Sequence, residues 1–546
     1  MKKNFPSTLQ DLLYQSVEQF GTREAVSFVD GEKISYSDFH SRVYELQKLL
    51  VAEGVQPGDR IALFAHNSPN WGIAYFAIGT MGAVIVPLLP DFSVYELNVI
   101  LAHAECKAIF VSRRLEEKLT KIDGKSFGKT YILDELMLSK EISPIFGAAN
   151  AYHCQPNDLL SIIYTSGTMG QSKGVMLSHK NLMRQLEMVK KIQPVQKEDV
   201  FLSILPLSHT YENSLGFLLP LLSGASVYYL DKLPTPSVLL PALQSVRPTY
   251  LLTVPMIIEK IFRGTVLPQL RKTAMKRALY AIPFFRKLMH RKAAAILYEK
   301  FGGRLVFFGI GGAKLNAQVE QFLKDGRKIP YAIGYGLTET APLISAAVAH
   351  SKHFQSAGFP LEDLEVCIHE PKNGEGEIWV RGDNVMEGYY KDTAATAEVM
   401  VKNWFRTGDL GKFDRQGRLH IMGRLKNMIL GANGENIYPE EIETLINSYS
   451  GVIESLVVER KGRLIAMIHI NREELEQQYA AIKAEWTHKT QELKQYVEDK
   501  IEEMRSELIS YVNERVRSFS QLYTVEVVFA EFEKTSTQKI KRYLYK

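Results

Sequence analysis

The chain has 546 residues, of which 46% are hydrophobic and 23% charged, and its formal net charge is +5 at pH 7. That length exceeds one ordinary domain and supplies a large core, while so slight a positive balance gives no reason to expect a nucleic-acid partner. Cys106, Cys154 and Cys367 lie far apart, which excludes a disulfide scaffold, argues against structural zinc and points to a reducing compartment.

Residues 1–10 carry Lys2 and Lys3 but no apolar core, so no signal peptide is expected there. Helical spacing of apolar residues over 8–20 is followed by strand-like runs at 25–28 and 60–64, a helix at 70–81 and an apolar run at 83–89. The alternation continues through strands at 108–111, 200–205, 226–230 and 250–254. Such a pattern predicts an α/β fold with buried parallel strands. The longest apolar stretch, 215–230, is broken by Gly216, Pro220 and Gly224 and is too short to span a bilayer; it reads as core.

Residues 263–304 set many Lys and Arg among Leu, Ala, Phe and Ile, with acids nearly absent before Glu299. This basic amphipathic stretch is read either as a solvated helix or as a peripheral contact with an anionic membrane. After Asp409 the pattern changes. A hairpin is expected over 411–422 with its turn at 414–417, then strands at 455–459 and 464–470, a glycine-free charged helical pair over 473–517 and a strand at 525–530.

The sharpest chemical signal is Tyr164-Thr-Ser-Gly-Thr-Met-Gly-Gln-Ser-Lys-Gly174, which follows an apolar run. Thr165, Ser166 and Thr168 offer hydroxyls, Gly167 allows a tight turn and Lys173 adds a fixed charge. Together they suit a polyphosphate, although the spacing is not that of a Walker A loop and an ordinary turn is the alternative. Gly334-Tyr-Gly-Leu-Thr-Glu-Thr340 is a second signal. Tyr335 can stack on a base beside Gly336, Thr338 can bind a phosphate or carboxylate oxygen, and Glu339 offers Mg²⁺ a hard oxygen ligand.

The first of these segments resembles the phosphate loop of the acyl-adenylate-forming enzymes, the group of acyl-CoA synthetases, peptide-synthetase adenylation domains and luciferases. The 334–340 segment, Trp404–Asp409, Gly423–Ile429 with 431–443, and Thr535–Arg542 resemble the same family in the same order. The resemblance implies a large N-terminal domain of α/β subdomains (1–424) that binds ATP and acid, and a small mobile α+β C-terminal domain (425–546). By the same resemblance Gly311 and Gly312 line the adenine pocket, Asp409 binds the ribose hydroxyls, and Arg424 contacts ribose and phosphate. Lys539 would be the catalytic lysine that neutralises charge where a carboxylate attacks the α-phosphorus. Many relatives have Gly where this chain has Gln538; its Thr-x-Thr-x-Lys-x-Lys-Arg ending resembles the long-chain fatty acyl-CoA synthetases.

The family couples formation of acyl-AMP to thioester formation by rotating the small domain. Lys426 then stands at the hinge, and the loop bearing Gly431 and Gly434 shapes a channel for CoA. Leu205-Pro-Leu-Ser-His209 resembles an acyl-pocket segment, which would put His209 beside the acid; a hydrogen-bonded core histidine is the alternative, and residues 215–222 read as an alkyl tunnel or a plain core helix. The resulting expectation is a cytoplasmic long-chain fatty acid–CoA ligase using ATP, Mg²⁺ and CoA, with a fatty acyl-AMP or acyl-carrier-protein ligase as the alternative.

Overall fold

Val84–Leu88 is a run of five buried residues at the middle of a seven-stranded mixed sheet, parallel to both its neighbours, where an unbroken apolar sequence is needed because both faces are covered. Pro87 has no N–H to give, and the pairing of this strand with Leu159–Thr165 is confined to Ile85 and Ser161. The computed structural model describes residues 5–122, 127–136, 149–165, 172–348, 354–430, 436–449, 451–470, 490–535 and 540–545.

Two large sheets form the N-terminal part. One has seven strands in the spatial order Gly388–Tyr389, Lys173–Ser178, Leu159–Thr165, Val84–Leu88, Arg60–Phe64, Cys106–Val111 and Phe127–Ile132. The other has nine, and its six central strands, from Tyr331–Gly336 through Phe307–Ile310, Tyr250–Thr253, Val200–Ser203 and Ser226–Tyr229 to Glu24–Phe28, run parallel. The expected β/α alternation is therefore present. Helix Pro69–Thr80 lies in the interior: Ser68 caps it, Pro69 opens it, and of its twelve residues only Asn70 is not buried. A helix apolar on every side needs such a place.

A third, antiparallel sheet of five strands contains the expected hairpin, with Trp404–Phe413 paired to Leu419–Arg424. Its partners Glu365–Lys372 and Glu375–Arg381 were not anticipated. Beyond Arg424 the chain builds a smaller sheet, Val452–Arg460, Arg463–Ile470 and Thr524–Val528. Ile437, Ile442, Val457 and Ile468, with Leu508 and Val512 of helix Thr490–Asn513, form a core of its own beside that sheet. Residues 471–489, the first part of the expected helical pair, lie outside the described residues.

The stretch 212–223 is helical and buried throughout. None of its residues is among those described as lining the main cavity, so the core-helix reading holds. Among the described residues, no helix is long and apolar enough to cross a membrane.

Candidate active site

A cavity of about 2760 Å³ runs between the large sheets, the five-stranded sheet and the C-terminal unit. Every predicted site residue that lies among the described residues lines it: Thr165, Lys173, His209, Gly311, Gly312, Tyr335, Gly336, Thr338, Glu339, Asp409, Arg424 and Lys426. Ser166, Gly167, Thr168, Gly431, Gly434 and Lys539 lie outside the described residues. Thr535 and Ile540, which flank the segment carrying Lys539, line the cavity.

Thr165 and Lys173 are positioned by strand pairing. They are cross-strand partners at the end of Leu159–Thr165, and Val175 pairs with Tyr389 on the next strand. That register brings the Lys173 ammonium 4.7 Å from the centre of the Tyr389 ring, a cation–π contact. The Tyr389 hydroxyl donates to Oε1 of Glu339 over 3.0 Å. Burial, reinforced by the Glu339 charge, pushes the Tyr389 phenol well above its ordinary pKa, which keeps it a donor.

Glu339 stands on a short turn, Thr338–Thr340, just after strand Tyr331–Gly336. The turn is clamped: the Leu337 amide donates to Thr340 Oγ1 over 3.1 Å, the Met386 amide to the Glu339 carbonyl over 2.8 Å, and Asn384 Nδ2 to the Thr340 carbonyl over 2.8 Å. Gly336 is obligatory here, because a Cβ would sit 1.8 Å from the Pro342 carbonyl oxygen. Gly312, with φ +87°, takes the left-handed conformation that lets the chain turn beneath the cavity after strand Phe307–Ile310.

Asp409 and Arg424 are directly opposed in the hairpin. Arg424 Nε lies 2.8 Å from Asp409 Oδ1, and the Tyr335 hydroxyl donates to Oδ2 over 2.7 Å. The Asp409 amide donates to Thr407 Oγ1 over 3.0 Å, which fixes the strand locally. A carboxylate offers two acceptor oxygens with about four lone-pair sites between them. That is the requirement for binding a vicinal diol. Burial, with the Asp409 charge adding to it, raises the Tyr335 phenol well above its usual value. Burial disfavours the Arg424 cation, but Asp409 together with Tyr335, Glu339 and Glu440 outweighs it and holds the guanidinium above its ordinary pKa.

Tyr389, Thr407 and Tyr211 were missed by sequence reasoning. Tyr211 lines the cavity two residues after His209, and its ring would lie 3.3 Å from a Cβ at Gly311, so it sets the floor of the Gly311 loop. Its place inside the His209 segment was the available signal. Tyr389 had none beyond its Gly-Tyr-Tyr context. His209 accepts from the Tyr211 amide through Nδ1 over 3.3 Å. Leu205, Val254, Ile257 and Leu267 add apolar walls on that side.

A divalent ion is the remaining component the chemistry implies. Among the described residues no group of three or more His, Cys, Asp or Glu could hold a metal. A single carboxylate at the cavity wall instead fits Mg²⁺, which typically keeps waters and takes one or two carboxylates plus phosphate oxygens.

Residues 13–390 match the AMP-binding enzyme family. The chain is 29% identical to long chain acyl-CoA synthetase 1 of Arabidopsis thaliana over 545 residues, covering 86% of this chain and 81% of the relative. It is also 29% identical, over 563 residues, to the chloroplastic long-chain-fatty-acid acyl-carrier-protein ligase AEE15 of the same plant, covering 85% and 76%. Among solved structures, O-succinylbenzoate coenzyme A synthetase of Bacillus subtilis in complex with AMP superposes with a TM-score of 0.76 at 22% identity, covering 98% of each chain. The chain therefore belongs to the AMP-binding enzyme family and is a ligase of the acyl-adenylate-forming type.

Proposed function

We propose that this ligase activates a long-chain fatty acid with ATP and passes the acyl group to CoA. The observation that carries the reading is a large cavity to which both halves of the chain contribute. Lys173, Tyr335, Glu339, Asp409 and Arg424 line it from one side, and Thr535, Ile540 and Lys541 from the other. Asp409 accepts from the ribose hydroxyls, and the Thr165–Lys173 hairpin receives the outer phosphates. Glu339 would hold Mg²⁺, which supplies charge neutralisation at the phosphates when bound. The acid enters from the side of His209, Val254 and Leu267, where an alkyl chain meets apolar walls.

The carboxylate oxygen attacks the α-phosphorus and pyrophosphate leaves. Lys539, carried on the tail, neutralises the charge that gathers on the phosphoryl oxygens. The unit following Arg424 then turns about Lys426, bringing the loop of Gly431 and Gly434 to the carbonyl and opening the route for the CoA thiol. The separate core of that unit supports its moving as one body.

A second reading replaces CoA by a carrier-protein thiol; it is favoured by the likeness to the plant acyl-carrier-protein ligase. Thioester formation from saturated acids of graded length, with CoA or holo-acyl-carrier protein as acceptor, tests both. The reading predicts CoA thioesters and a maximum at long chains. A maximum at short acids, or turnover only with the carrier protein, contradicts it.

A further inference from the structure

Helices Ala274–Ala281 and Pro283–Lys300 meet in a corner at Ile282 whose large apolar side chains face outward. Phe284 is 75% exposed, Met275 70% and Leu288 56%. Monomeric soluble proteins rarely leave such side chains clustered in water. The corner is also strongly basic: from Lys260 to Tyr298 the sequence contains no Asp or Glu. Lys272, Arg277, Lys287, Arg291 and Lys292 are exposed on these two helices and the turn before them. Along the longer helix Phe284 and Leu288 stand four residues apart, as do Lys287 and Arg291, so an apolar row and a basic row run side by side.

The underside of the corner is fixed. The Tyr280 hydroxyl lies 3.0 Å from His290 Nε2, and His290 Nδ1 lies 2.8 Å from Asp325 Oδ2, all three buried. This chain of hydrogen bonds ties both helices to Ala317–Gly326, so the outward residues sit on a rigid base. The same segment reaches the active-site cavity, because Leu267, Pro268, Arg271 and Arg277 line its wall.

We infer that this corner docks on an anionic phospholipid bilayer, with Phe284 and Leu288 inserted at the headgroup boundary and the flanking lysines and arginines on lipid phosphates. The alternative occupant, a second copy of this chain, is disfavoured by charge. A twofold interface would set the basic rows against each other, whereas an anionic bilayer complements them. Docking places the wall formed by Leu267 and Arg277 at the membrane surface. Delivery of a membrane-borne acid to the cavity rests on the ligase reading above; docking itself does not.

Co-sedimentation of the full chain with phosphatidylcholine vesicles, with and without phosphatidylglycerol, tests the inference. Binding is expected only with the anionic lipid, and it should weaken as salt rises. Lys287→Glu with Arg291→Glu should reduce it at least about tenfold. Phe284→Ser with Leu288→Ser should reduce it with every base intact. Both variants should keep wild-type thermal midpoints and unchanged turnover of a short, water-soluble acid. Wild type that ignores anionic vesicles, or either double variant binding as wild type does, overturns the inference. So does sedimentation velocity showing a dimer that Phe284→Ser with Leu288→Ser dissociates. A wild type that binds vesicles yet ligates no acid would overturn the proposed function and leave the docking standing.

Discussion

Glu212 keeps a carboxyl in the core, 1% exposed, against Gly216, where a Cβ would lie 2.7 Å away. Burial raises its pKa from 4.5 to about 8, with a hydrogen bond from Ser203 opposing the shift. The unfolded chain loses that proton at lower pH than the folded one. Between those values the folded state therefore holds more protons, and stability falls as pH rises. Glu212→Gln should remove this dependence. Its thermal midpoint relative to wild type should climb from pH 5 to pH 8, with a difference reaching about 3 kcal/mol by pH 7; parallel profiles would show that Glu212 ionises normally. Tyr389→Phe deletes the donor to Glu339, a loss of about 1 kcal/mol. Adenylation should slow by roughly fivefold to tenfold, and the Mg²⁺ concentration for half-maximal rate should rise. At this scale the sequence was most legible where a motif singles out the residue. Asp409, Arg424, Tyr335 and Glu339 were readable and line one cavity. Tyr389 was not, because its partners Lys173 and Glu339 reach it only through strand pairing across the fold.

Elements were legible in proportion to how completely they are buried. Parallel strands such as Val84–Leu88 and Tyr250–Thr253 are buried at every position, carry mostly apolar residues and announce themselves. Glu365–Lys372 is mostly exposed or half-exposed and reads as a polar loop until its pairing with Glu375–Arg381 is seen. The basic segment 263–304 was legible as amphipathic, but its corner and buried clasp depend on Asp325, which comes from another helix. The turn after Tyr331–Gly336 supplies the prediction belonging to this scale. Gly336→Ala cannot be accommodated without moving Pro342, given the 1.8 Å approach. We expect loss of several kcal/mol of stability, or a displaced Glu339 turn with adenylation reduced at least about a hundredfold. Wild-type melting together with wild-type turnover would contradict this account of the turn.

Across the whole molecule, the C-terminal unit meets the large part, among the described residues, through a small set of polar contacts. Arg263 Nη1 donates to the Val452 carbonyl over 2.9 Å and Nη2 to the Asn447 carbonyl, while Tyr438 reaches Glu375 over 3.3 Å. Such a set suits the turning proposed for that unit between half-reactions. If these bonds hold the arrangement used for adenylation, Arg263→Ala should slow acyl-AMP formation several-fold without slowing thioester formation from supplied acyl-AMP; equal slowing of both would remove Arg263 from that role. Two units with separate cores were readable from the change of pattern after Asp409, but the contacts joining them were not, since backbone carbonyls carry no sequence signature. The most direct measurement is exchange of labelled pyrophosphate into ATP, with a long-chain acid present and CoA absent. Wild type should exchange only when acid is added. Lys539→Ala should lose that exchange by at least about a hundredfold while still converting supplied acyl-AMP and CoA to thioester. Exchange without acid, or equal loss of both half-reactions in Lys539→Ala, would contradict the account.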